Sequence, residues 1–149
     1  MTEVHPRIAY GNLLDRVLSL PVKINGEIQH LSIGQIYEKK LIDLALSQGV
    51  NINSFDKYGW TLLHFACNNS DVEMAKYLIS KGADPNSSCE LDTGSRTPRP
   101  CWRLIDNTQE TLKNFDEFAE IFSETIKSDK DSYNRSVYDH LEYERKIRV

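Results

Sequence analysis

The side chains able to do chemistry are few and scattered. Histidines stand at positions 5, 30, 64 and 140 and cysteines at 67, 89 and 101. None of the histidines lies at a metal-binding spacing from a cysteine or from a second histidine, so no metal site is expected. Cys67, Cys89 and Cys101 form an odd set without a Cys-x-x-Cys pair, which reads as reduced thiols rather than a disulfide framework. Cys67 falls in an apolar helical pattern, as a core residue would. Gly-x-Gly-x-x-Gly, Gly-x-x-x-x-Gly-Lys-Ser and Gly-x-Ser-x-Gly are all missing, so neither a phosphate cradle nor a nucleophile elbow is supported and no cofactor is expected. His140, with Asp139 and Glu142 nearby, is the one group that could exchange protons, and polar neighbours on a terminal helix read more simply as surface. The chain is expected not to be an enzyme.

Carboxylates crowd one stretch, with Asp106, Glu110, Asp116, Glu117, Glu120, Glu124, Asp129 and Asp131 facing only Lys113, Lys127 and Lys130. Glu117, Glu120 and Glu124 recur at helical spacing and form one solvated face, or else an acidic strip for a basic partner. Over 149 residues the formal charge is -4, which lacks the basic footprint that nucleic acid demands. No apolar run reaches bilayer length, so no membrane partner is expected. Arg7, Asn12, Asp15 and Arg16 interrupt the start of the chain, which argues against a signal peptide and for a whole chain acting in the cytoplasm.

The elements that would position these residues show a repeat. Lys40 to Asn53 and Glu73 to Asn86 align without a gap, with Gly49 and Gly82 in register 33 residues apart. Each segment reads as an amphipathic helix ended by a glycine able to take the left-handed conformation; Val72, Ala75, Leu78 and Ile79 mark the apolar face of the second. Between them, Asp56-Lys57-Tyr58-Gly59-Trp60 reads as a turn, and Thr61-Leu62-Leu63-His64-Phe65-Ala66-Cys67 as a short apolar helix.

This pattern resembles the ankyrin repeat, whose signature centres on Thr-Pro-Leu-His-x-Ala. Thr61 and His64 match the family's helix-capping and turn-bonding positions, and Leu62 replaces the usual proline. The resemblance implies an all-α fold, a stack of helix pairs joined by short turns. It is strong over residues 35–86 and weaker over 87–145. Asp92 to Pro100 looks like a further turn and Thr-Pro start, although Arg99 and Pro100 stand where Leu and His are expected. Phe115, Phe118, Ala119, Ile121, Phe122 and Ile126 read as the outer helix of that third repeat, with Asp106 to Asn114 lengthening the connection before it. Asp131 to Leu141 echoes the turn and inner helix once more, Asn134 taking the glycine place.

Upstream of Gln35 the resemblance fades. Ile8 to Leu18 reads as a helix, Val22 to Ile28 as a hairpin around Asn25-Gly26, and Ser32 as the cap of the helix running toward Gln48. The whole chain is expected to form one domain, with residues 1–34 as an N-terminal cap, 35–86 as well-matched repeats and 87–149 as degenerate repeats and a C-terminal cap.

Ankyrin proteins bind through turn tips and the exposed side of inner helices. Carried over by position, this assigns partner binding to Lys57, Tyr58 and Trp60, to Asn68 and Asn69, to Thr93, Arg96, Tyr133 and Arg135, and to Tyr143 and Glu144 on the last helix. Tyr and Trp on such a surface are the residues that dominate binding hot spots. The expected function is therefore occupancy of another protein, one to one. Its most concrete form is an inhibitor or immunity-type protein that occludes a toxin or enzyme; the alternative is a scaffold or effector that binds host or cellular proteins for localisation.

Overall fold

The computed structural model describes residues 19–88 and 97–147. They divide into two compact units, residues 19–62, 88 and 97–98 in one, 63–87 and 99–147 in the other.

The first unit opens with a hairpin, β1 (Leu20–Ile24) antiparallel to β2 (Glu27–Leu31), with Ile24 opposite Glu27 and Leu20 opposite Leu31. Asn25 and Gly26 both have positive φ, 50° and 84°, the pair a two-residue turn needs to match strand twist. Leu20 and Val22 are buried, whereas Glu27 to His30 are exposed. The amide of Gln48 grips the other edge of β1: its Nε2 donates to Lys23 O at 2.9 Å and its Oε1 accepts from Lys23 N at 2.7 Å. The expected hairpin is present, while the expected helix at Ile8 to Leu18 lies outside the described residues.

Ser32 does not cap the long helix. It exchanges hydrogen bonds with Gln35, Ser32 N donating to Oε1 at 2.8 Å and Gln35 N to Ser32 Oγ at 3.3 Å, and this pair closes a separate 3-10 turn at Gly34–Ile36. Helix α1 (Lys39–Ser47) starts afresh from Glu38, whose two carboxylate oxygens accept from Lys40 N and Leu41 N. A carboxylate at that end meets both the orphan donors and the positive end of the helix dipole.

α1 and α3 (Val72–Ser80) end alike. Gly49 (φ 91°) donates to Leu46 O and Val50 to Ala45 O; Gly82 (φ 95°) donates to Ile79 O and Ala83 to Leu78 O. Both are Schellman closures, the arrangement for which glycine was expected. The following turns match too, Asn53 N donating to Asn51 Oδ1 and Asn86 N to Asp84 Oδ1, each at 2.9 Å.

In chain order α2 (Leu62–Asn68) comes after α1 and before α3, and apart from its first residue it lies in the second unit. It leads through Ser70 (φ 51°) into α3, capped by Asp71. Leu63, Ala66, Cys67, Ala75 and Leu78 are buried. Where a third inner helix was expected, Pro100–Asn107 forms a 3-10 helix, with Pro100 at its first position, where a helix has no intrahelical partner for an N–H. The stretch read as a lengthened connection contains helix α4 (Thr108–Leu112), fastened by buried hydroxyls: Thr111 Oγ1 donates to Leu104 O at 2.7 Å and lies 2.7 Å from Ser70 Oγ.

Helix α5 (Phe115–Ile121) is the expected outer helix and packs against α3, with Lys76 paired to Glu117. It stops before Ile126: Phe122 ends it, and Ile126 is buried from the turns that follow. Helix α6 (Val137–Ile147) packs on the 3-10 helix and α4, burying Val137 and Leu141.

Candidate functional site

Two turns have the same internal construction. In the first unit, Asp56 Oδ1 accepts from Tyr58 N at 2.9 Å and Trp60 N at 3.0 Å, while Gly59 N donates to Asp56 O and Asp56 N to Trp60 O. In the second, Asp131 Oδ1 accepts from Tyr133 N and Arg135 N, both at 2.9 Å, while Asn134 N donates to Asp131 O and Asp131 N to Arg135 O. Gly59 and Asn134 supply the positive φ, 81° and 61°. Asparagine therefore does take the glycine place, as its tolerance of left-handed backbone allows.

What the turns present is aromatic and cationic. Tyr58 is 63% exposed beneath the Lys57 ammonium, 5.5 Å from the ring centroid, and Tyr133 is 76% exposed with the Arg135 guanidinium at the same distance. Trp60 is half-buried. Thr97 Oγ1 donates to Tyr58 O at 2.7 Å, a tie from the Thr-Pro start of the weaker repeat to the first tip.

The carboxylates beneath the tips differ in their surroundings. Burial holds Asp56 above the ordinary carboxylate range, against the pull of the Trp60 and Tyr58 amides. Asp131 is held below it, first by the Arg135 amide and then by His140, whose Nε2 lies 2.9 Å from Asp131 Oδ2.

Of the other residues assigned to partner binding, Asn69 is exposed, Asn68 and Glu144 are half-buried, and Tyr143 is 64% exposed on α6. Thr93 and Arg96 lie outside the described residues. Within the second unit, Tyr133, Arg135, Tyr143 and Glu144 belong to one turn and the helix that follows it.

The proton-exchange grouping is not assembled in the way the sequence suggests. His140 is bonded to Asp131, nine residues earlier, while the Asp139 carboxylate turns back to accept from Ser136 N at 2.9 Å and Ser136 Oγ accepts from Asp139 N at 3.1 Å. Ser136 and Asp139 thus form a capping box at the positions where the matched repeat has Thr61 and His64. Glu142 pairs with Arg145. The Asp131–His140 bond is not visible in the sequence, since only the folded turn brings them together; the equal spacing in Asp56-x-Tyr-Gly and Asp131-x-Tyr-Asn is the available sign. Burial pushes Cys67 well above its ordinary pKa and Cys101 up to about 11, so both are poor nucleophiles. Among the described residues no group of three or more His, Cys, Asp or Glu could hold a metal ion, and no helix is long and apolar enough to cross a membrane.

A family model described as "Ankyrin repeats (many copies)" matches residues 38–79, the stretch in which the first Schellman closure and the first Asp-clamped tip fall. Residues 38–79 carry ankyrin repeats. Similar proteins include the "Ankyrin repeat and LEM domain-containing protein 1 homolog" of Caenorhabditis elegans, 46% identical over 46 residues, 31% of this chain and 6% of the relative. "Protein phosphatase 1 regulatory subunit 27" of Homo sapiens is 40% identical over 47 residues, 32% of this chain and 30% of the relative. "Ankyrin repeat, SAM and basic leucine zipper domain-containing protein 1" of Mus musculus is 34% identical over 76 residues, 50% of this chain and 15% of the relative. The chain therefore spans less than a third of the length of each.

Proposed function

We propose that this chain is a non-catalytic binding module that acts by occupying a partner protein, and that the exposed tips carry the contact. The observation supporting this most directly is the repeated Asp clamp: in each unit a carboxylate fixes the turn backbone, leaving an aromatic ring and a cation facing outward. A pre-set turn loses little entropy on binding, and tyrosine gives large contact area for few rotatable bonds. The proposed contact residues are Lys57, Tyr58 and Trp60 in the first unit and Asn68, Asn69, Tyr133, Arg135, Tyr143 and Glu144 in the second.

The finer reading is an inhibitor or immunity-type protein that occludes an enzyme or toxin in the cytoplasm. A relative bearing the name of a phosphatase regulatory subunit supports an enzyme as the kind of partner, and the buried free thiols of Cys67 and Cys101 suit a reducing compartment. The alternative is a scaffold or effector, which would hold its partner without changing its activity.

The test is a pull-down from cell lysate with the full chain, beside a Tyr58→Ala/Trp60→Ala variant and a Tyr133→Ala/Tyr143→Ala variant of unchanged circular dichroism, followed by assay of the captured protein. Retention by the wild type, loss by either variant, and reduced activity of the partner in the complex support inhibition. Retention with unaltered activity transfers the case to the scaffold, and equal retention by all three chains removes the tips from the function.

A further inference from the structure

The hairpin of the first unit has two edges, and they are treated differently. In an antiparallel pair, residues facing each other alternate between those that exchange both main-chain bonds and those whose N–H and C=O point away from the partner strand. The two-residue turn makes Ile24 and Glu27 a bonded pair, so Val22–Gln29 and Leu20–Leu31 are bonded as well, and the main-chain groups of Lys23, Pro21, Ile28 and His30 point outward. The β1 edge agrees with this phase. Lys23 N and O both go to the Gln48 side chain, and Pro21 has no N–H to leave open.

The β2 edge has no such closure. Among the described residues β1 is the only strand beside β2, and no hydrogen bond reaches the outward main-chain groups of Ile28 and His30. Glu27 to His30 are exposed, Ile28 at 65%, although Val22, opposite Gln29, is fully buried; the core ends beneath β1 and β2 overhangs it. Strands that stay at an edge are blunted by lysine, proline or a bulge. Glu27-Ile28-Gln29-His30-Leu31 has neither lysine nor proline, its one fixed charge is at its end, and its register against β1 is unbroken.

We propose that this edge pairs with the same edge of a second copy of the chain, antiparallel about a two-fold axis at Gln29. Open main-chain donors and acceptors specify another extended main chain as their cover. A two-fold contact must also be complementary to itself, and this strand meets that condition in one register. With the axis at Gln29, Ile28 of each copy faces His30 of the other as a bonded pair, so every outward group of both residues is used. Gln29 then stands opposite Gln29 and Glu27 opposite Leu31, and no like charges meet. An axis at His30 would set Ile28 against Ser32, whose N–H is already given to Gln35, and an axis at Ile28 would set His30 against Gly26 in the turn. One pair of short strands covers less than a standard interface, so the dimer is a weak one. This inference goes beyond partner binding at the tips and does not depend on it.

The test is sedimentation velocity of the full chain at concentrations from about 10 μM to about 1 mM. The wild type is expected to move from the monomer toward the dimer mass as concentration rises, and the Ile28 and His30 amides to exchange more slowly with solvent over the same range. Gln29→Lys and Gln29→Glu each set like charges across the axis and are expected to weaken association roughly fivefold, while an equimolar mixture of the two recovers it. Ile28→Pro removes an outward N–H that the β1–β2 ladder does not use and is expected to lose the dimer. Thermal melts verify the fold, and the Gln29 variants decide the matter if Ile28→Pro unfolds. A monomer at every concentration overturns the proposal and leaves the edge to an extended segment of another protein. Association indifferent to the Gln29 charges, a mixture no tighter than either variant alone, or a folded Ile28→Pro that dimerises like the wild type overturns it as well.

Discussion

Asp131 and His140 are joined at 2.9 Å from Oδ2 to Nε2, and the other oxygen of the same carboxylate holds the amides of Tyr133 and Arg135. One side chain therefore fixes both the shape of the terminal tip and its attachment to α6. Asp131→Asn keeps an acceptor for the amides but removes the charge; Asp131→Ala removes both. The expected order of unfolding midpoints is wild type above Asp131→Asn above Asp131→Ala. A double-mutant cycle with His140→Ala should show coupling for the alanine variant, and additivity there would mean that the bond does not contribute.

The two clamp aspartates should answer pH in opposite directions. Asp131 has a folded pKa below its unfolded value, so its contribution is present above the ordinary carboxylate pKa of about 4 and is lost as pH falls through the folded value. Asp56 is raised by burial, so its contribution is present below about 4 and is lost as pH rises through its folded pKa. Urea unfolding at stepped pH is the check. Asp131→Asn should lessen the fall in stability on acidification, whereas Asp56→Asn should steepen it; the same response from both would contradict the assigned environments.

The closures at Gly49 and Gly82 are legible in the amino-acid order because a helix end is a local event: the chain needs a left-handed residue there, and few residue types can supply it. The Asp-x-Tyr-Gly and Asp-x-Tyr-Asn tips are legible for the same reason. The region around Pro100 is less so, because two nearby prolines and the lost Leu-His pair leave the inner helix undetermined; it forms as a 3-10 helix followed by α4. Ser32 resembles the start of α1 because nothing in its immediate neighbours reveals that Tyr37 leaves the helical region, with ψ of 72°. Of the proposed contact residues, those on the tips can be placed by motif, whereas the flank of α6 that stays open is defined only once the Asp131–His140 bond has formed.

Gly82→Ala isolates the cost of that helix ending. A Cβ at Gly82 meets nothing within 4 Å, so any loss comes from the backbone at φ 95° and not from a clash. The expected loss is about 1–2 kcal/mol in chemical denaturation, and Gly82→Asn should lose less. Equal stability of the alanine variant would mean that this turn relaxes without strain.

The buried hydroxyl chain from Ser70 through Thr111 to Leu104 O should be costly to break from its middle. Thr111 is completely buried and has both its bonds at 2.7 Å. Thr111→Val keeps the shape but leaves Leu104 O without that donor and Ser70 Oγ without that partner, an expected cost of about 1–3 kcal/mol. Ser70→Ala/Thr111→Val removes both hydroxyls and should cost less than the sum of the single changes. A fully additive pair would show that the two hydroxyls act independently.

Cys67 and Cys101 should be silent toward thiol reagents in the folded protein. Both are fully buried, and burial disfavours the thiolate that would react. In a Cys89→Ser background, alkylation followed by intact mass is expected to find no modified thiol under native conditions and both modified in denaturant. Labelling of either one while circular dichroism remains native would mean that the core around it opens locally, since the thiolate must reach solvent before it can attack.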